Sequence, residues 1–484
     1  MFNFDHSLTR ELDGFFTPSQ AAAAPAPRMV VWNTALAKAL GLPDAAPEQW
    51  ASWLSGAEAM PGSQPVALAY AGHQFGHFNP QMGDGRALLL GELIAPDGAR
   101  FDLQFKGSGQ TPYSRGGDGK STLSAALREY LMSEAMAALG VPSTRSLAVV
   151  ATGEGLWRNV PHHGAVLSRI AASHLRVGTF EWAAAHHGRA AVERLVDYAL
   201  QRHFPDQMAA RNRPLALLEA VCEAQAKLVA KWMNLGFVHG VMNTDNVTIS
   251  GETIDYGPCA FLDGYSAGAV FSSIDKGGRY AFGQQPLVCR WNLYKLASAL
   301  IESIVAVDEA DNEAARLLLD GFGARYEAHW VQGLRPKLGL ATAQDGDLAL
   351  GQALFAALQG QQADFTRVFR ALAASLVEGY GAVGAELTDP AALQGWWAQW
   401  QDRLALEPLD QAIRAAQMDA VNPLYIARNH LTDAALSAAA AGDMAPFDEL
   451  LALVSQPFAR RDGMERYTHG APSGTPGHVT YCGT

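Results

Sequence analysis

The residues best suited to chemistry lie between positions 239 and 257. His239 opens the stretch HGVMNTDN, Asn246 closes it, and Asp255 follows in IDYG. A carboxylate and a neutral amide oxygen are donors that a hard divalent cation accepts. The intervening VTISGETI is predicted to form a tight hairpin around Ser250-Gly251, which would let Asn246 and Asp255 converge at one end. Asp245 supplies a spare carboxylate near the same ion. An Asx-rich turn ahead of a hairpin is the plainer interpretation, and it leaves the order His, Asn, Asp-x-Gly unexplained. Two positions after the histidine stands Val241, which has no group to take up a proton.

A second group could hold phosphate. Gly83 and Gly85, in MGDGR ahead of an apolar run, would let backbone amides approach an anion, and Arg86 adds a fork of donors. By themselves these glycines fit a plain turn equally well. Lys106 ends the alternating FDLQFK, on the face opposite Phe101, Leu103 and Phe105. A cleft lysine needs a carboxylate to orient it, and both Glu129 and Glu134 lie on the following helix; spacing does not choose between them. Arg169 and Arg176 flank SRIAASHLR and could clamp a polyphosphate, or be surface arginines.

These side chains need elements to carry them. ALLLGELI (87–94) and FDLQFK (101–106) read as strands joined by the turn APDG. A Gly- and Ser-rich loop, GSGQTPYSRGGDGKS, leads to a helix over STLSAALREYLMSEAMAALG that stops at Gly140. Strands follow at 146–152 and 164–170. From about 180 the chain turns helical, and PLALLEAVCEAQAKLVAKWMNLG (214–236) delivers it into the 239–246 loop. Residues 1–60 read as an irregular or helical lead-in, and 461–484 as a mobile tail.

Composition narrows the class. The 484 residues are 49% hydrophobic and 17% charged, as in soluble globular proteins. A net charge of −12 without a basic run argues against nucleic acid as partner. The four cysteines are widely spaced and lack a CxxC pair, which fits a reducing cytoplasm. The acidic N-terminus is unlike a secretory or transit signal, and no apolar run reaches the ~18 residues a membrane span needs. The absence of heptads and the acidic balance predict a monomer.

The order His, Asn, Asp-x-Gly is the one in which protein kinases arrange their catalytic and metal-binding loops. More specifically, YAGHQFGHFNPQMGDGRA (70–87), QFKGSGQTPYSRGGDGKS (104–121), HGVMNTDN and IDYGPCAFLD (254–263) resemble the selenoprotein O family, kinase-fold protein adenylyltransferases, in the form that carries cysteine near the C-terminus. The likeness runs from FDHSLTREL to the final YCGT. It implies ATP bound end-to-end reversed and AMP transferred to Ser, Thr or Tyr hydroxyls of proteins, self-modification included. By motif, Gly83, Gly85 and Arg86 would contact the nucleotide, Lys106 its phosphates, and Glu129 would partner the lysine. Asp118 and Gly119 would line the reversed nucleotide, and Arg169 and Arg176 would hold its terminal phosphates. Asn246 and Asp255 would ligate Mg²⁺, or Mn²⁺ in its place, with Asp245 as proton acceptor. Cys482 could form a reversible disulfide, Cys259 being the nearest cysteine to the chemistry in sequence.

The expected fold is α+β, a two-lobed kinase-like arrangement. Residues 1–60 would pack on the lobes as an extension, 61–180 form the sheet-bearing lobe, 181–460 the helical lobe with both loops, and 461–484 the tail. Two competing functions are a γ-phosphate-transferring kinase, which the valine at 241 disfavours, and a silent ATP-binding scaffold, which would have no reason to keep Lys106, Asn246 and Asp255.

Overall fold

The computed structural model describes residues 2–472 and 474–480. An antiparallel sheet of nine strands organises the first third of the chain. The strands are β1 (Phe4–Asp5), β2 (Phe16–Pro18), β3 (Arg28–Trp32), β4 (Val66–Leu68), β5 (Ala87–Ile94), β6 (Arg100–Lys106), β7 (Ser121–Thr122), β8 (Arg145–Arg158) and β9 (Val160–Ala171). They lie in the order β2-β4-β5-β6-β9-β8-β3, with β1 also paired to β5 and β7 to β9. The remainder is mostly helical, so the architecture is α+β.

The apolar run ALLLGELI forms β5 and the alternating FDLQFK most of β6, as their patterns predict. Both faces of β6, however, are covered. Leu103 and Phe105 pack into an outer core with Trp50, Leu54 and Leu147. On the other face Asp102 and Gln104 are fully buried. Asp102 accepts from His174 N at 2.8 Å and from Arg202 at 2.7 Å. Its polar face therefore meets a layer of buried partners instead of water.

The lead-in departs from the irregular or helical expectation. Three of its segments, β1, β2 and β3, join the sheet, and the helices Thr34–Ala39 and Pro47–Ser55 cover its outer face. Strands of two to five residues carry too little alternation to be visible in sequence, and their pairings are remote in the chain.

Helix α1 (Leu123–Ala138) begins where Thr122 caps Ala125 N at 3.3 Å and buries Leu127, Leu131 and Ala135 against the sheet's inner face. Helix α2 (Val177–His186) follows β9 after a short turn. Helix α3 (Arg213–Leu235) starts at the cap Asn212, with Pro214 in its first turn, and stops at Gly236. It runs directly into a two-residue strand, Phe237–Val238, paired with Ala260–Phe261. That pair fixes both ends of the segment holding residues 239–257.

The hairpin predicted over VTISGETI does not form. Its first arm pairs with residues 175–177, through Val177 N to Val247 O at 2.9 Å and Ile249 N to Leu175 O at 3.0 Å. Its second arm pairs with 142–144, through Thr253 N to Pro142 O at 2.9 Å and Thr144 N to Thr253 O at 3.0 Å. Backbone groups that a hairpin would satisfy internally are satisfied by neighbouring segments instead.

The described end of the tail is bonded to the body. Thr480 N donates to Phe271 O at 2.7 Å and its hydroxyl to Pro258 O at 2.9 Å. Cys482 lies outside the described residues.

Candidate active site

A cleft of about 1190 Å³ opens between the inner edge of the sheet, α1 and the 239–257 segment. Gly83, Gly85, Arg86, Lys106, Asp118, Gly119, Glu129, Arg169, Arg176, Asp245, Asn246 and Asp255 all line it.

Its centre is the carboxylate of Asp255. Lys106 Nζ donates to Oδ1 at 2.8 Å, Arg169 to the same oxygen at 2.7 Å, and Arg176 to Oδ2 at 3.0 Å. Strand register explains two of these. Lys106 ends β6, and Arg169 on β9 stands opposite Gln104, to which it donates at 2.5 Å. Arg176 lies beyond the strand, yet the backbone pairing of 175–177 with 247–249 brings it to the same point. Burial acts to raise the Asp255 pKa, but the three cations outweigh it and hold the carboxyl well below the usual range.

Glu129, not Glu134, pairs with Lys106, at 2.7 Å, and also receives Arg169 at 3.2 Å. Glu134 instead binds Arg145 and Ser146 N. The two acids sit five residues apart on one helix, so only the sheet's position distinguishes them.

Asp255 has φ +60°, an uncommon conformation for a residue other than glycine. His239 steadies the approach to it. The ring is buried and its Nε2 donates to Ile254 O at 2.8 Å, with Trp232 stacked at 5.4 Å. Val241 lines the cleft, and its carbonyl accepts Asn246 Nδ2 at 3.0 Å. The Asn246 amide thus spends its nitrogen on the backbone. That leaves an acceptor oxygen of the kind a hard cation takes.

Asp245 is buried, and its Oδ1 has no hydrogen-bond partner among the described residues. Burial raises its pKa to about 7, with the Arg176 charge pulling the other way. The Arg176 guanidinium donates to Asp245 O at 2.7 Å and lies over the Tyr70 ring at 4.6 Å.

The glycines serve packing here. A β-carbon at Gly83, whose φ is +99°, would stand 2.5 Å from the Tyr113 ring, and one at Gly85 would stand 2.8 Å from Tyr113 O. Between them Asp84, which sequence reasoning passed over, is buried and binds Leu68 N at 3.3 Å and Gln104 at 2.9 Å. At the rim, Arg158 donates to both oxygens of Asp118 at 2.7 Å. Gly119 touches Gly109 so closely that a β-carbon would be 2.0 Å from its carbonyl oxygen.

Further residues missed from the sequence brace the 239–246 loop. The two-stranded hairpin Gly72–Gln74 with His77–Asn79 leans on it: His73 N donates to Thr244 Oγ1 at 2.6 Å and Phe75 N to Asn243 Oδ1 at 3.1 Å. Thr244 donates in turn to Glu181 on α2 at 2.6 Å, and Glu181 Oε1 is hydrogen-bonded to His73 Nδ1 at 2.5 Å. Burial raises Glu181 to about 7, and burial with the nearby charges of Lys295 and Arg279 lowers His73 to about 4, so both shifts favour the uncharged forms. Only the packing of the hairpin on α2 reveals it.

Cys222, Cys259 and Cys289 are buried free thiols, and burial pushes Cys259 up to about 11, away from ready disulfide exchange.

The sequence matches the family model described as "Protein adenylyltransferase SelO" over residues 1–455. A relative from Sphingopyxis alaskensis, called "Protein nucleotidyltransferase YdiU", is 53% identical over 488 residues, covering 100% of both chains. Relatives of the same name from Cereibacter sphaeroides and Rhodopseudomonas palustris are 52% and 49% identical, covering 100% of this chain and 100% and 99% of their own. A match of this extent, together with a cleft that gathers the motif residues, establishes that the chain belongs to the SelO family of protein adenylyltransferases.

Proposed function

We propose that this protein transfers AMP from ATP to Ser, Thr or Tyr hydroxyls of proteins, its own included, and releases pyrophosphate. The convergence of Lys106, Arg169 and Arg176 on Asp255 is the observation that carries this reading. Three cations in one cleft match the charge of a polyphosphate, and the absence of a carboxylate at 241 argues against γ-phosphoryl transfer with its usual base.

In this scheme the acceptor oxygen attacks the α-phosphorus, the bond to the bridging oxygen breaks, and pyrophosphate leaves. Lys106, oriented by Glu129, together with Arg169 and Arg176 balances the charge on the departing group. Asp245, with its unpartnered buried oxygen, takes the hydroxyl proton. Gly83, Gly85, Arg86, Asp118 and Gly119 form the nucleotide's walls. The oxygen donors of Asn246 and Asp255 would suit Mg²⁺ or Mn²⁺. Such an ion would neutralise phosphate charge and orient the nucleotide. Among the described residues there is no group of three or more His, Cys, Asp or Glu that could hold a metal ion.

The fold would be a two-lobed kinase-like one, with 61–180 and 181–460 as the lobes and ATP reversed between them, acting as a cytoplasmic monomer without nucleic-acid or membrane partners. ATP labelled at the α or γ position tests the reaction. Label from α alone should reach the acceptor, and intact mass should rise by one AMP; transfer of γ label would refute the scheme.

A further inference from the structure

Just outside the cleft, beside the 239–246 loop, lies a ledge of aromatic and basic side chains, of which only His73 has a role described above. Arg279 lies over the Trp291 ring at 4.5 Å, and Lys295 Nζ is 5.0 Å from the same ring. His73 meets Trp291 edge-on at 5.4 Å and carries Phe78 at 5.0 Å. Phe78 is 46% exposed, and Ile274, on the cleft's rim, is 52% exposed.

Three features mark this ledge as built for a ligand. First, the cations nearest the α-phosphate region are already matched to acids, whereas Arg279 and Lys295 form no ion pair with a carboxylate among the described residues; rings are their neighbours. Of the nearby carboxylates, Asp275 is buried and accepts from the backbone amides of Arg279 and Tyr280, at 2.9 and 2.7 Å, and Glu181 is turned to Thr244 and His73. Second, the ledge is continuous with the cleft through Gln74, Phe75 and Ile274. His73 N bonds Thr244, the residue before Asp245, so the ledge begins one residue from the proposed proton acceptor. Third, the connecting hairpin is strained. Phe75 and Gly76 turn with φ +50° and +89°, a pairing that favours Asn-Gly, yet the first position holds phenylalanine. Its ring is placed at the cleft mouth, 5.2 Å from Tyr280.

We propose that this ledge docks the acceptor protein and selects hydroxyls in acidic segments. The target residue would enter past Phe75 while flanking carboxylates meet Arg279 and Lys295, with apolar contact at Phe78 and Ile274. This inference rests on the AMP-transfer reading, and it adds to that reading a substrate class. Cations already backed by aromatic faces keep a fixed direction and pair well with incoming carboxylates.

The test uses two fluorescent peptides with one serine each, one flanked by glutamates and one by glutamines, and the full-length protein. Wild type should bind the glutamate peptide about tenfold more tightly by anisotropy, as two new charge pairs would produce, and should label it with AMP at about tenfold higher kcat/KM. The R279Q/K295Q variant should lose both preferences to within about twofold while its ATP affinity stays unchanged. K295Q alone, at the partly buried lysine, should lose part of the preference and provides the readout if the double variant does not fold. Equal binding of both peptides by wild type, a preference retained in both variants, or tighter binding of a single-stranded oligonucleotide of equal charge would overturn the proposal. A glutamate preference in binding without AMP reaching any acceptor would instead refute the transfer reading and leave the ledge standing.

Discussion

Asp245 Oδ1 lies so close to the α-carbon of Gly72 that a β-carbon there would be 2.9 Å from it, and 3.0 Å from Met82 Sδ. The hairpin that begins at Gly72 therefore sets the position of the proposed proton acceptor. Gly72→Ala should push that carboxylate aside and lower AMP transfer by about a hundredfold, since a displacement of about 1 Å costs that much. Thermal melting of the same variant should change little by comparison; equal activity to wild type would show that Asp245 is not held by this contact.

Removing the Asp255 carboxylate leaves Lys106, Arg169 and Arg176 facing one another in a cleft where both arginines are 2% exposed. Asp255→Ala should lose about 3 kcal/mol of stability in the absence of ligand. Pyrophosphate should raise the melting temperature of the variant more than that of wild type, because it replaces the missing anion. Transfer activity should fall below detection.

Glu181 gives a pH signature. Burial raises its pKa to about 7, so the folded protein holds a proton that the unfolded chain releases near the ordinary value of about 4.5. Unfolded protein then binds fewer protons, and this group's contribution is present at low pH and lost as pH rises through about 7. Glu181→Gln copies the protonated form. Relative to wild type it should gain on the order of 2 kcal/mol between pH 5 and 8, measured by denaturant melts at each pH. Parallel pH profiles for the two proteins would contradict the assignment.

Gly119 has φ +66° and no room for a β-carbon. Gly119→Ala should cost about 2 kcal/mol and disturb the loop that presents Asp118. The KM for ATP should rise more than kcat falls. By contrast Arg158→Ala, which breaks an exposed pair, should shift stability by less than about 1 kcal/mol.

Much of the cleft was legible because its residues sit on strongly patterned elements. Lys106 stands out at the end of an alternating strand, and Asn246 and Asp255 by their order after a long amphipathic helix. What escaped is non-local. Glu129 and Glu134 differ only in which sheet residue each faces. The loop 247–254 has hairpin composition but finds better partners at 142–144 and 175–177. Asp84, His73 and Glu181 are ordinary residues until the fold buries them side by side, and the strands of residues 1–60 are too short to declare a period.

Asp255 occupies, in the protein alone, the place a polyphosphate would take among three basic side chains. Under the proposed reaction, nucleotide entry would be an exchange of partners. Any divalent ion that drew the carboxylate toward itself would release Lys106, Arg169 and Arg176 for the incoming oxygens. In that scheme ion and nucleotide would assist one another, each tightening the other's hold by the same factor, while the unloaded cleft is kept in charge balance by an anion of its own.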